Sequence, residues 1–489
     1  MGRQLLVGVA VQAAVYIQSL VLFPIVIRHA GATTYGDFVV QLTLLYLLFG
    51  LYASGVPYRY RRELVSTQTP GERRALFGPQ FAFQLVCVAV VSAAIVVWTC
   101  ATNTGSSAIS RALPLIAWIV ANTFYRLVAD YFRYTLRMGI FNFLTGVPPY
   151  LFLVFVVSVV FARGALSVDR LIVMQAASFA LPALLPLGKM LREIGLPRPT
   201  LRWRTIVADF KQGAPLTLEL VIDFLLASSD RLLIAAFLSL AAVGSYQPAY
   251  TLGMLVIFLP RVFDAIMLPN LNRLIDRGKI AEAESLIQVM LNLLLLIALP
   301  FAAASFFIAP TLLRVLTNAE IASASRWVTP VVACAAICYG AMLIAGQVAF
   351  ALRRTRAIAV ANASGGAINV ILNLLLLPVF ASIVLPAVTT LIGYAVGLAL
   401  TAAALRRYWR FRIDRPGALR CAVAAAAMIL LLYQLGYRPG VFTAQNPVTL
   451  AASIAAGVVV YFAVLWVSGV RIRDFSAIFG YPESPEEAA

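Results

Sequence analysis

The chain has 489 residues, of which 62% are hydrophobic and only 12% are charged. Soluble domains are closer to half apolar and a quarter charged, so this composition excludes an ordinary soluble protein. Its long, continuously apolar runs also exclude a membrane barrel, whose strands alternate apolar and polar residues. The net charge of +18 would suggest nucleic acid in a soluble protein, but here the basic residues lie between apolar runs, as in membrane proteins.

The hydrophobic runs are each long enough to form a membrane helix, which needs about 20 apolar residues. Charged or Gly/Pro-containing breaks separate them. They lie near residues 5–27, 37–57, 77–99, 112–132, 141–162, 170–189, 212–237, 243–265, 285–308, 327–351, 357–378, 384–405, 418–436 and 447–468. We therefore predict an all-α, polytopic membrane protein with about 14 transmembrane helices.

The distribution of basic residues predicts the orientation of these helices. With the N-terminus in the cytoplasm, the cytoplasmic segments hold 28 of the 38 Lys and Arg residues and the opposite side holds seven. Basic residues are strongly enriched in cytoplasmic loops. Both termini are therefore expected in the cytoplasm, and the acidic end of the chain is expected to be a cytoplasmic tail.

An internal repeat suggests that the helices form two lobes. The segment starting at His29 can be aligned with the one starting near Ser239, so that Gly36 falls on Gly244. The shift is six helices, an even number, which predicts parallel repeats about an axis along the membrane normal. The predicted parts are a six-helix lobe (1–190), a basic cytoplasmic linker (191–211), a second six-helix lobe (212–405), two additional helices (406–470) and the acidic tail (471–489).

Several functions are disfavoured by what the sequence lacks. It has no GxxxxGK[ST] loop for ATP, and no large outer loop with the paired carboxylates expected of a polysaccharide polymerase or ligase. His29 is the sole histidine, and the five cysteines lie in or beside apolar segments. We therefore expect no catalytic site, no metal site and no cofactor.

The seventh and eighth spans resemble the corresponding region of bacterial Wzx-type polysaccharide flippases. The similarity consists of a Gly-x-Pro helix start, a Ser-Asp-Arg triplet, a Val-Gly-x-Tyr loop and an aromatic-rich helix ending near a proline. The residues that carry it are Gly213, Pro215, Asp230, Arg231, Val243, Gly244, Tyr246, Tyr250 and Pro269. The peptidoglycan-precursor flippases have fourteen spans, but their arginine-rich first two helices are not seen here.

The Wzx-type family belongs to the multidrug/oligosaccharidyl-lipid/polysaccharide exporter superfamily. The resemblance implies two lobes around a central cavity, alternating access and no enzymatic chemistry. The implied partners are the lipid bilayer, a polyprenyl-diphosphate-linked glycan and polysaccharide polymerase or export machinery, with no nucleic acid. The implied location is the bacterial cytoplasmic membrane, and the implied product is a surface polysaccharide such as O-antigen or an exopolysaccharide. The alternatives are a cation-coupled multidrug exporter and a polymerase or ligase.

Charged residues inside predicted spans are the candidates for function, because such groups usually face a polar cavity or one another. On a continuous helix, Glu219, Asp223 and Asp230 would share one narrow stripe of span seven. We predict ion coupling at Glu219 and Asp223; the alternative is that they pair with arginines of other helices and hold the lobe together. Asp230 and Arg231 are predicted to form a structural ion pair at a helix end.

Polar residues on other spans are the candidates for substrate binding. Guanidinium groups match phosphate oxygens, which favours Arg126 and Arg261 as contacts of a diphosphate. Arg126 and Asp130 are spaced to pair within the helix. Sugars need amide, hydroxyl and aromatic partners, and the residues predicted to supply them are Asn122, Gln12, Tyr16, Gln247, Tyr250 and Asn369.

Overall fold

A computed structural model describes residues 2–53, 58–67, 69–102, 106–196, 199–200, 203–443 and 446–469. The side chains of residues 2–13, 15–16, 58–59, 106–107, 203–206, 259, 261–266 and 269 lie outside this description. The predicted acidic tail, 471–489, also lies outside the described residues.

Helices account for all of the regular structure in the described ranges, apart from an isolated bridge between Arg438 and Val441. The first seven are α1 (Gly2–Ala53), α2 (Tyr58–Leu64), α3 (Pro70–Thr102), α4 (Ser106–Tyr134), α5 (Met138–Phe161), α6 (Val168–Ile194) and α7 (Trp203–Ala227). The next are α8 (Ser229–Phe237), α9 (Leu240–Gly253), a 3₁₀ turn (Met254–Ile257), α10 (Phe258–Asp276), α11 (Ile280–Leu316) and α12 (Ala319–Ala324). The last are α13 (Val328–Ala351), α14 (Thr355–Phe380), α15 (Val384–Leu405), α16 (Arg415–Gln434) and α17 (Pro447–Val467).

Twelve helical stretches in the described part of the chain are long and apolar enough to cross a membrane. The stretch from Ile17 to Ala53 is one of these twelve, whereas the sequence predicts two separate spans in the region of α1. Its two halves meet at Gly31, which has φ 83° and ψ 167°, a conformation that glycine adopts without a steric penalty. The prediction of an all-α, polytopic membrane protein is confirmed.

Two predicted spans are interrupted. Span seven is divided between α7 and α8 at Ser228, which has a non-helical φ of −135°. Span eight consists of α9, the 3₁₀ turn and α10 in succession. The expectation of a single stripe on a continuous seventh helix is therefore wrong, because the register assumed beyond Ala227 does not hold.

The described chain divides into two compact units, which we call the N-terminal unit (1–224) and the C-terminal unit (225–489). Most of α7 belongs to the N-terminal unit, and its Leu220 side chain packs against Gly50 of α1. The sequence predicts the whole seventh span in the second lobe. The predicted lobe boundaries remain a prediction.

Glu193 ties together three elements of the N-terminal unit. Its carboxylate accepts two hydrogen bonds from the Arg137 guanidinium, at 2.6 and 2.8 Å, and one from Arg73 of α3. The bonds to Glu193 raise the pKa of Arg137. The end of α6, the start of α3 and the α4–α5 connection are thus joined by a bidentate ion pair, which is stronger than a single contact.

In the C-terminal unit, α14 and α15 approach closely enough for their backbones to touch. A Cβ on Gly365 would lie 2.5 Å from the Gly393 carbonyl oxygen, and a Cβ on Gly393 would lie 2.8 Å from the Gly365 oxygen. Small residues at helix crossings allow such close packing within membranes. The close approach brings Asn369 of α14 within hydrogen-bond distance of Thr390 of α15, at 3.1 Å.

Candidate functional site

The N-terminal unit contains a cluster around a buried carboxylate on α4. Asp130, which is 4% exposed, accepts a hydrogen bond from Arg61 Nε at 2.8 Å. Its other oxygen lies 3.3 Å from Arg126 Nε, which confirms the pairing of Arg126 with Asp130 within the helix. Arg61, on the short helix α2, also donates to the carbonyl oxygen of Ala53 at 2.8 Å. Two guanidinium groups therefore share one carboxylate.

Buried uncharged polar groups lie on α3 and α4. Gln84 of α3 and Asn122 of α4 are 6% and 4% exposed, and Gln84 Oε1 and Asn122 Nδ2 have no hydrogen-bond partner in the described chain. A small cavity beside the two arginines is lined in part by Gln84 and Thr123. Buried polar atoms without a partner are costly. They mark a place where a polar ligand or water would be stabilised.

The C-terminal unit contains a second buried carboxylate with different neighbours. Asp230 is 2% exposed and lies in the first turn of α8. Tyr246 donates to its Oδ2 at 2.9 Å and Thr390 donates to the same oxygen at 2.7 Å. Asn373 donates to Oδ1 at 3.2 Å and to Asn369 Oδ1 at 2.6 Å. These five residues form the Asp230 network, which joins α8, α9, α14 and α15.

Arg231 contacts other residues than the neighbouring aspartate. Its Nε donates to Gln247 Oε1 at 2.5 Å, and its guanidinium lies 4.9 Å from the centre of the Tyr250 ring. A further bond reaches the carbonyl oxygen of Ala227 at 3.0 Å. The predicted structural role of Arg231 thus involves Gln247 and Tyr250, whereas Asp230 is held by hydroxyl and amide groups.

The Asp230 network offers several oxygen atoms from different helices around one negative charge. They include both carboxylate oxygens, Thr390 Oγ1, Asn369 Oδ1 and Asn373 Oδ1; the last has no hydrogen-bond partner among the described residues. A single carboxylate among neutral oxygens next to a broken helix suits a proton or a monovalent cation. No cluster of three acidic, His or Cys residues suited to a metal ion occurs in the described part of the chain.

Glu219 and Asp223 of α7 are exposed, unlike Asp230. The side chains of Gln12, Tyr16 and Arg261 lie outside the described residues.

Sequence reasoning missed Arg61, Gln84, Tyr246 and Thr390 as members of these sites. Tyr246 is part of the Val-Gly-x-Tyr loop of the family resemblance, and Thr390 belongs to a Thr–Thr pair within an apolar span. Arg61 and Gln84 carry no comparable signal.

The twelve long apolar helical stretches in the described part of the chain define a polytopic membrane protein. Comparison with solved structures agrees. The lipid II flippase MurJ in an inward closed conformation has a TM-score of 0.73 and 12% identity, covering 94% of this chain and 98% of that chain. An inward-facing multidrug resistance MATE family transporter of the MOP superfamily has a TM-score of 0.61 and 12% identity, covering 82% and 93%.

A third solved structure, a mutant of the Vibrio cholerae MATE transporter VcmN, has a TM-score of 0.54 and 13% identity, covering 83% and 96%. The chain belongs to the polysaccharide biosynthesis protein family, whose model matches residues 80–326, slightly more than half of the chain. This family membership agrees with the predicted resemblance to polysaccharide flippases, and the chain shares its fold with a transporter of the MOP superfamily. No curated protein sequence matches the chain.

Proposed function

We propose that the protein flips a polyprenyl-diphosphate-linked oligosaccharide repeat unit from the cytoplasmic to the outer leaflet by alternating access. Membership in the polysaccharide biosynthesis family carries this proposal, because it links a transporter fold to a glycan product. The likeness in fold to a lipid II flippase supports a lipid as cargo. The product would be a surface polysaccharide or exopolysaccharide such as O-antigen, and the protein would act without chemistry of its own.

The Asp130 cluster suits the diphosphate of such a carrier. Its two guanidinium groups exceed its one carboxylate, so a diphosphate would neutralise the remaining charge. Arg126 is proposed for direct contact, because 43% of its side chain is exposed. Arg61 is 16% exposed and is held by Asp130 and Ala53, which suits a positioning role. Arg261 remains the second proposed contact of the diphosphate.

The sugars require hydrogen-bond partners that are not already engaged. Asn122 Nδ2 and Gln84 Oε1 meet this requirement, because both are buried and lack a partner among the described residues. Gln12 and Tyr16 remain proposed sugar contacts from the sequence. Gln247 and Tyr250 are proposed with them, but both already contact Arg231 and would have to exchange that contact for a sugar. Asn369 is better suited to the coupling site, because its amide bonds Thr390 and Asn373.

We propose the Asp230 network as the site of ion coupling. A charge buried within a membrane protein is costly unless it is neutralised, so binding of a proton or monovalent cation would stabilise the arrangement of α8, α14 and α15. Glu219 and Asp223 remain candidates from the sequence. Asp230 is the stronger candidate, because hydroxyl and amide groups of three other helices converge on its buried carboxylate.

The multidrug exporter is the nearest alternative, because MATE transporters share the fold. The excess of positive charge in the Asp130 cluster favours an anionic cargo over a cationic drug. The MATE structures cover 82–83% of this chain and the MurJ structure covers 94%. The difference is similar in length to the segment Arg415–Val467, which supports the flippase architecture. The solved structures that share this fold are a flippase and a transporter, so they give no support to the alternative of a polymerase or ligase.

We place the protein in the bacterial cytoplasmic membrane, with both termini in the cytoplasm. The support is the charge bias of the loops. The lipid bilayer and the glycan carrier are the proposed partners, together with polymerase or export machinery.

The test is transport in liposomes that contain a fluorescent polyprenyl-diphosphate oligosaccharide. Its appearance in the opposite leaflet is followed for wild type, Arg126→Ala and the control Arg133→Ala, an exposed arginine two turns further along α4. We expect transport by wild type and the control, with a loss of about tenfold or more in Arg126→Ala. Efflux of a lipophilic cation without movement of the glycan lipid would overturn the proposal.

A further inference from the structure

A cavity of about 260 Å³ lies between α11 and α16 in the C-terminal unit. One wall carries Ser285, Gln288 and Asn292 of α11, spaced so that they lie on one face of the helix. The other wall is formed by the start of α16 and the residue before it. It carries the charged residues Asp414 and Arg420, together with Gly417 and Cys421. A cavity with this many polar groups is unusual between two helices that are otherwise apolar enough to span a membrane.

The two charged groups of this cavity have no side-chain partner. Within the described part of the chain, neither the Asp414 carboxylate nor the Arg420 guanidinium makes a hydrogen bond or ion pair. Asp414 occupies the N-cap position of α16, yet its carboxylate makes no capping bond. Its Oδ2 lies against the backbone of Gly417, where the Cβ of any other residue would collide with it. Both groups are therefore available to a ligand.

The cavity lies where a membrane helix begins. The membrane-spanning stretch of α16 starts at Arg415. Arg420 lies about one and a half helical turns further along the helix. Beside it, Leu419 and Val423 are 67% and 53% exposed, as expected of side chains that face lipid. Charged groups at this depth meet phospholipid headgroups, and basic pockets between membrane helices bind such groups.

We propose that this headgroup cavity binds a zwitterionic phospholipid of the phosphatidylethanolamine type. The lipid phosphate would bind Arg420, and the ammonium group would bind Asp414. Gln288 and Asn292 can donate amide hydrogen bonds to phosphate or glycerol oxygens, and the acyl chains would lie along Leu419 and Val423. The proposal is independent of the transported cargo.

The charge pattern distinguishes this headgroup from other anions. An anionic phospholipid or a diphosphate would satisfy Arg420 but would leave the Asp414 carboxylate facing a second negative charge, which is unfavourable. A zwitterionic headgroup satisfies both. Further arginines on the segment before α16, namely Arg406, Arg407, Arg410 and Arg412, are exposed and suit the phosphate layer of the membrane as a whole.

Native mass spectrometry of the full-length protein in detergent tests this proposal. Phosphatidylethanolamine, phosphatidylglycerol and soluble glycerophosphoethanolamine are titrated against wild type, Asp414→Asn and Arg420→Gln. The matched control is Arg412→Gln, an exposed arginine that does not line the cavity. We expect wild type and the control to prefer phosphatidylethanolamine over phosphatidylglycerol by about tenfold, as for one charge-assisted contact.

Each variant has its own expected effect. Asp414→Asn should abolish the preference for phosphatidylethanolamine over phosphatidylglycerol. Arg420→Gln should lower the binding affinity for both lipids about tenfold. If Asp414→Asn does not fold, Gly417→Ala replaces it, because the added methyl group displaces the carboxylate while keeping its charge. A wild type that prefers phosphatidylglycerol, an unchanged preference in the Asp414 or Gly417 variant, or equal binding of the soluble headgroup would overturn the proposal.

Discussion

Asp130 in the N-terminal unit and Asp230 in the C-terminal unit are both buried, at 4% and 2% exposure, but their partners differ. Asp130 is shared by the guanidinium groups of Arg61 and Arg126. Asp230 accepts its hydrogen bonds from two hydroxyl groups and one amide. The same residue type is thus neutralised by cations in one unit and is solvated by neutral donors in the other.

The difference determines which kind of charge each site can still accept. The Asp130 cluster keeps an excess of one positive charge and suits an anion. In the Asp230 network the hydrogen-bond donors to the carboxylate are neutral, and neutral donors stabilise a carboxylate without removing its charge, which suits a cation or a proton. A lipid-linked diphosphate and a coupling ion require sites of these two kinds.

Removing the carboxylate of the Asp130 cluster should destabilise the protein strongly. In Asp130→Ala, the largely buried Arg61 loses its charged partner, which costs up to about 3–5 kcal/mol, whereas Arg126 is 43% exposed and contributes little to this loss. Thermal unfolding in detergent should show a large fall in Tm. Glu320→Gln, at an exposed carboxylate, is the control and should unfold as wild type does. An unchanged Tm in Asp130→Ala would mean that the arginines do not depend on Asp130.

Neutralising Asp230 should leave the protein folded but abolish its response to an ion gradient. Asparagine has nearly the same shape and keeps one acceptor oxygen, whereas the negative charge that holds a cation or proton is lost. Transport in liposomes should be independent of both proton and sodium gradients in Asp230→Asn. Asp223→Asn and Glu219→Gln are tested in parallel. If the gradient dependence disappears in these variants and persists in Asp230→Asn, coupling resides on α7.

Enlarging Gly393 should disturb the Asp230 network through the backbone. The new Cβ of Gly393→Ala meets the Gly365 oxygen, so α14 and α15 must separate, at a cost of about 1–3 kcal/mol. Gly346→Ala is the control, because a Cβ there would approach nothing closer than 4.0 Å. We expect lower Tm and weaker ion dependence in Gly393→Ala alone. Equal behaviour of the two variants would show that the close approach is not required.

The two neighbouring threonines of α15 should differ in effect. Thr390 donates to Asp230 at 2.7 Å, whereas Thr389 donates to Asn369 at 3.4 Å and to Pro386 at 3.0 Å. Thr390→Val should weaken the apparent ion affinity about five- to tenfold, as for one hydrogen bond to a charged group. Thr389→Val should have a smaller effect. The same loss in both variants would argue that only the packing of α15 matters.

Much of the fold follows from the apolar runs, because a membrane helix is a local feature of some 20 residues. The pairing of Arg126 with Asp130 was predictable for the same reason, since the residues are one helical turn apart. The break at Ser228 was not predicted, because neither Gly nor Pro marks it. It is nonetheless what separates Asp230 from the stripe that carries Glu219 and Asp223.

The partners of the two aspartates depend on tertiary packing. Arg61 is 69 positions from Asp130 in the chain, and Thr390 is 160 positions from Asp230. No local periodicity reports such contacts. For Asp230, the adjacent Arg231 suggested an ion pair, but the guanidinium instead reaches Gln247 on α9. Composition and spacing therefore located the charged residues without assigning their partners.

We propose that diphosphate contact at Arg126 and ion coupling at Asp230 are separate roles. This claim is tested by measuring transport of the polyprenyl-diphosphate glycan against cargo concentration, with and without an ion gradient, in Arg126→Ala and Asp230→Asn. We predict that Arg126→Ala loses cargo affinity and keeps its gradient dependence. Asp230→Asn should keep its cargo affinity and lose its gradient dependence. Equal loss of both properties in both variants would contradict the claim.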